Sequence, residues 1–121
     1  MNLNQIEFRA RAIRISRRLK EEGAASLRSL LAPQLERIGQ VRVWFTDVNG
    51  PKGGEDTLCT IKVTMPGRPG LLAESRAEGP RGALAGALRK LRVLLDRSRR
   101  RARRFAPAAP PAPAFAGVDL P

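Results

Sequence analysis

The chain predicts an α+β domain of order β-α-β-β-β-α: a four-stranded sheet with two helices packed on one face, then a disordered Pro/Ala C-terminal tail. Three observations lead there. Apolar residues alternate with period two in several short runs. Two stretches with helical spacing follow the first and the last of those runs. Dense Gly/Pro clusters separate the later runs. With 121 residues, 42% of them hydrophobic, the chain has enough for one small core and not for two.

The first strand is Gln5-Ile6-Glu7-Phe8-Arg9-Ala10-Arg11-Ala12. Its alternation places Ile6, Phe8, Ala10 and Ala12 on one side and the charges on the other. Ser16 offers an N-cap. Leu19, Gly23, Leu27, Leu30, Leu31 and Ile38 then recur at helical spacing. Pro33 cannot occupy an undisturbed helix interior, so the helix ends near Ala32 with a short extra turn beyond it. Val41 to Thr46 is rich in β-branched and aromatic residues and reads as a strand. Asn49-Gly50-Pro51-Lys52-Gly53-Gly54 reads as a hairpin loop. It does not fit the phosphate-loop pattern, and it precedes a strand rather than a helix. Thr57 to Met65 is the third strand, Pro66 to Gly70 a second turn, and Leu71 to Ala77 a weaker fourth strand. The two turns join neighbours directly, which predicts an antiparallel meander. Pro80 suits the first position of the last helix. Leu84, Ala87, Leu88, Leu91, Leu94 and Leu95 fall within about 60° of Leu91 on its wheel. Residues 106–121 are low-complexity Pro/Ala sequence and read as an inert spacer, leaving 1–105 as the domain.

Charge narrows the function. The formal net charge is +12. Between Arg81 and Arg104 stand ten basic residues and one acid, Asp96, so that this segment holds nine of the twelve net charges. All ten lie outside the apolar arc of the last helix. Charge of one sign concentrated on one element repels itself, and a polyanion relieves that repulsion. Nine of the ten are arginines, whose planar guanidinium donates in pairs to phosphate oxygens. Arg89, Lys90, Arg92, Arg97, Arg99, Arg100, Arg101, Arg103 and Arg104 are therefore the candidate RNA-binding residues. A membrane partner is not expected, because the apolar stripe is leucine and alanine without Trp or Phe and is needed to cover the sheet.

Other classes are poorly served. The chain has no histidine and one cysteine, Cys59, which excludes His-based triads, internal disulfides and thiolate zinc clusters. No stretch carries a nucleophile beside a base or paired carboxylates, so neither a catalytic site nor a small-molecule substrate, cofactor or metal is expected. Asp47, Glu55 and Asp56 read as solvated loop charges. No apolar run reaches the roughly 20 residues of a membrane span, and Met1 to Gln5 do not resemble a secretory signal, so the expected location is cytoplasmic. Trp44 is the single tryptophan. It reads as packing in the core or on the sheet surface, with stacking on an RNA base the alternative; a reader of RNA shape and phosphates fits better than a reader of splayed bases.

The order of elements and several local strings resemble the ribosome hibernation-promoting factors, also called ribosome-associated inhibitors or subunit-interface proteins. The strings are Val41-Arg42-Val43, Asp47 to Asp56, Cys59-Thr60-Ile61-Lys62-Val63 and Ala83 to Arg92, within a likeness spanning residues 5–104. Lys90 falls on the lysine of the family's Asp-Lys-Leu motif, and Arg92, Arg97, Arg99 and Arg100 in the basic stretch after it. The family's two acids fall on Ala85 and Arg89, and an aromatic on Arg81, so this helix is more basic than the pattern. The resemblance implies a fold like the double-stranded-RNA-binding domains and a partner, the small ribosomal subunit and its rRNA, bound by a monomer that blocks messenger and transfer RNA. The family's long members carry a second, dimerising domain; here the Pro/Ala tail follows Phe105, so ribosome dimerisation by that route is not expected. The competing expectations are a general nucleic-acid binder of the nucleoid or RNA-packaging kind and a basic protein–protein adaptor.

Overall fold

A computed structural model describes residues 6–48 and 56–105, with side chains described through Arg101. Strands β1 (Ile6–Arg11), β2 (Val41–Asp47), β3 (Thr57–Met65) and β4 (Arg68–Ala77) form one sheet in sequential order. Helix α1 (Arg17–Leu31) and a short 3-10 helix (Ala32–Arg37) connect β1 to β2, and helix α2 (Pro80–Phe105) follows β4. The β-α-β-β-β-α order is as expected. β2, β3 and β4 run antiparallel as a meander, whereas β1 lies parallel to β2, so the sheet is mixed. A parallel neighbour needs a long crossover, and α1 with its 3-10 extension supplies it. The Asn49–Gly54 loop and the 106–121 tail lie outside the described residues.

The pairing register stacks the inward side chains into rows. Ile6, Val41, Val63 and Leu71 form one; Phe8, Val43, Ile61 and Ala73 the next; Ala10, Phe45, Cys59 and Ser75 the third. The middle of each row is buried, and Leu19, Leu27 and Leu31 of α1 and Ala83, Leu84, Ala87, Leu91 and Leu95 of α2 close over it. Each fully buried Leu contributes about 1.5–3 kcal/mol relative to exposure. Both helices therefore cover the same face. At Gly23 of α1, an added Cβ would stand 3.1 Å from Leu84 of α2 and 3.3 Å from the Phe8 ring of β1. That glycine is where the three elements converge.

Three details depart from the simplest alternation. Ala10 shares the inner side with Phe8 but is exposed, because it lies at the edge of its row near the end of β1. Ala12 has left the strand with φ +62°, the left-handed region, as the chain turns toward α1. β4 begins at Arg68 rather than Leu71, because Pro66-Gly67 alone makes the turn, with Gly67 at φ +74° and Met65 paired to Arg68. Pro69 is tolerated because β4 is an edge strand, and a Cβ at Gly70 would sit 2.7 Å from the Val63 carbonyl oxygen.

The helix boundaries follow their local chemistry. The Ser16 hydroxyl accepts from Leu19 N–H at 3.1 Å, capping α1. Pro33 falls in the first turn of the 3-10 helix, where its missing N–H costs nothing. Buried Gln34 ties that helix to α2, its amide donating to the Leu95 carbonyl at 3.4 Å. Gly79 accepts from Ala83 N–H at 3.0 Å as α2 starts.

Candidate nucleic-acid interface

The candidate interface is α2, whose 26 residues make a rod of about 39 Å. Its N-terminal half lies against the sheet through small residues. A Cβ on Gly86 would stand 2.0 Å from Ser75 Oγ, and one on Gly82 would stand 3.1 Å from Ala77 Cβ, so both sites hold the helix tightly to β4. Leu95 is the last buried residue, and the described side chains from Asp96 to Arg101 are half-buried or exposed. The C-terminal part of α2 thus runs on past the core.

The structure places the predicted cations around three sides of this rod. Arg89, Arg92 and Arg99 face α1 and line a groove of about 750 Å³ with Ser26, Ser29 and Gln34; Asp96 is its one carboxylate. Lys90 lies on the other flank, beside Glu74, Leu72 and Val93 of a shallower groove of about 430 Å³ against β4. At about 100° per residue, Arg97 and Arg101 share the Lys90 flank, and Arg100 stands opposite Leu91. Arg99 is half-buried, and Arg89, Lys90, Arg92, Arg97, Arg100 and Arg101 are exposed. The side chains of Arg103 and Arg104 lie outside the described residues.

Electrostatics separates these groups from the remaining cations. Among the described residues the salt bridges are Arg9 with Glu7, Arg42 with Glu7, Arg18 with Glu22, and Arg81 with Glu22. None takes in a cation from Arg89 to Arg101. Arg81 is different: its guanidinium donates to Glu22 of α1, and with Arg18 nearby it holds the Glu22 carboxyl below its ordinary range. Arg81 counts in the charge of the last helix but stands outside the candidate RNA-binding set, and the fold uses it to fasten α2 to α1. Cys59 is fully buried in β3, and desolvation pushes its thiol up to about 12, which leaves it protonated and without nucleophilic character. Among the described residues no group of three potential metal ligands occurs, and no helix is long and apolar enough to cross a membrane.

Charge counting over the last helix passes over a second cationic surface, the sheet face away from the helices. The outward rows there are Glu7, Arg42, Lys62 and Leu72; Arg9, Trp44, Thr60 and Glu74; and Arg11, Thr46, Leu58 and Arg76. Every one of these residues is exposed or half-buried. The period-two pattern of the strands carries this information, but the acids elsewhere in the first 80 residues cancel it in any sum over sequence.

No family model matches the chain, and no curated protein matches it. Solved structures do. A ribosomal subunit interface protein from Coxiella burnetii superposes with a TM-score of 0.68 at 17% identity, covering 78% of this chain and 97% of that one. The N-terminal domain of Protein Y from Thermus thermophilus gives 0.61 at 17% identity, covering 76% and 94%. The likeness is one of fold, and it extends over nearly the whole of both neighbours.

Proposed function

We propose that this chain is a ribosome-associated, non-enzymatic factor that binds the small subunit and represses translation by occupancy. The cations of α2 contact rRNA phosphates, and the bulk of the domain excludes messenger and transfer RNA. The observation that carries this reading is an α2 whose described cations from Arg89 to Arg101 are free of intramolecular carboxylate pairing, on a fold shared with a ribosomal subunit interface protein. Unpaired guanidinium groups keep all their donors for phosphate, and the sheet beneath fixes the rod that bears them. The hibernation-factor resemblance points to the same partner, and three of its four strings, Val41-Arg42-Val43, Asp47 to Asp56 and Cys59 to Val63, lie outside α2.

The test is co-sedimentation with small subunits and whole ribosomes on a low-salt gradient. The parent is expected in the ribosomal fractions, and a variant with Arg97, Arg99, Arg100 and Arg101 all changed to Gln is expected to stay at the top while keeping the parent's circular dichroism. Co-sedimentation of that variant at the parent's level removes α2 from the mechanism. Equal competition by bulk duplex RNA would assign the chain to general nucleic-acid binding instead.

A further inference from the structure

We infer that the helix-free face of the sheet is a second nucleic-acid site, which binds single-stranded RNA by stacking an unpaired base on Trp44. The inference stands apart from the role of α2, since this surface lies on the opposite side of the sheet. Trp44 sits at the centre of the face, with Arg9 beside it on β1 and Thr60 beside it on β3. It is half-buried, so part of the indole meets solvent. Neighbouring strands lie about 5 Å apart, which puts the surrounding cations within reach of the phosphates flanking a base at that ring.

The face is charged for such a ligand. Among the described residues in its paired strand rows, the cations are Arg9, Arg11, Arg42, Lys62 and Arg76 and the acids Glu7 and Glu74. Glu7 is shared by two of the cations, with Arg9 at 2.6 Å and Arg42 at 3.3 Å, and their pull lowers its pKa. One carboxylate cannot neutralise two guanidinium groups, so that corner stays positive. Arg9 remains 68% exposed and Arg42 49%. An aromatic ring with cations at its side, here Arg9 across the register and Arg42 along the strand, is an arrangement that holds single strands: the ring takes a base face and the cations follow the backbone. A duplex fits poorly, because its bases are already stacked on one another.

Trp44 is the only tryptophan in the chain, so intrinsic fluorescence reports on this site alone. Titrating the full chain with single-stranded oligouridine is expected to quench that emission saturably, and duplex RNA of the same length to quench it far less. By anisotropy of a labelled oligouridine, Trp44→Ala is expected to weaken binding about 5- to 150-fold. Trp44→Phe keeps a ring and is expected to retain most of the affinity, which separates lost stacking from lost folding. Arg42→Gln with Lys62→Gln is expected to weaken binding with the indole left in place. The α2 variant with Arg97, Arg99, Arg100 and Arg101 changed to Gln is expected to show the parent's quenching. Absent quenching, equal quenching by duplex, or quenching lost in the α2 variant would each overturn the proposal, whatever the outcome with ribosomes.

Discussion

At the scale of single residues, Gly86 shows how helix propensity and packing compete. In an exposed helix interior, Gly→Ala gains about 1 kcal/mol. Here the new Cβ would meet Ser75 Oγ at 2.0 Å and Ser75 Cβ at 2.8 Å. The hydroxyl can rotate away, but the Cβ is fixed to β4, so helix or strand must shift. Overpacking of this kind costs about 1–3 kcal/mol. Packing therefore outweighs propensity, and Gly86→Ala is expected to lower the urea midpoint. A raised midpoint would mean that α2 rides higher on the sheet than described. The glycine falls within the stretch Ala83 to Arg92 but outside its apolar arc, and only the approach of Ser75 shows why a side chain is missing there.

At the scale of elements, the tie between α1 and the start of α2 has a definite pH signature. Glu22 and Arg81 are 59 residues apart and hold two helices at one corner of the domain. The Glu22 carboxyl lies below its ordinary 4.5, first because Arg81 donates to it, and further because of the Arg81 and Arg18 charges. A depressed carboxylate pKa contributes stability above the unfolded value and loses it as pH falls through the folded one. Urea midpoints of the parent and of Glu22→Gln are thus expected to differ at neutral pH and to draw together as pH falls below the unfolded glutamate value of about 4.3 and through the depressed folded one. The pair is exposed, so added salt is expected to narrow the gap as well. A gap that persists unchanged into acid would show that Glu22 acts through packing rather than charge. No local spacing marks this pair, which is why Arg81 reads from sequence as one more cation of α2. The elements themselves were far more legible. Ser16, Pro33 and Pro80 punctuate the helices through chemistry that is local to the chain. Arg68 to Gly70 was harder, because Pro and Gly signal a turn unless an edge strand and a facing carbonyl give them another use.

At the scale of the molecule, the charges divide between two surfaces back to back, with the core between them. The cations of α2 stand on the helix side, and those around Trp44 on the bare side of the sheet. The sequence makes the first set visible as a run, while the second emerges only when the register of four strands brings distant residues side by side. Self-repulsion is spread over both faces, and a polyanion bound at either one would relieve it there. This arrangement sets the expected response to salt. Every phosphate neutralised releases condensed counterions, and the logarithm of the binding constant falls with the logarithm of salt by about 0.9 per contact on a duplex and about 0.7 on a single strand. Removing the four guanidinium groups at Arg97, Arg99, Arg100 and Arg101 is therefore expected to flatten the slope for ribosome binding by about 3–4, if each meets one phosphate. Removing Trp44 takes away no charge, so Trp44→Ala is expected to lower oligouridine affinity by a nearly constant factor at every salt concentration. The measurement is binding across a salt series for the parent and both variants. An α2 variant with the parent's slope would mean that its arginines touch no phosphate. A Trp44→Ala deficit that disappeared at high salt would mean that the indole arranges cations rather than stacking a base.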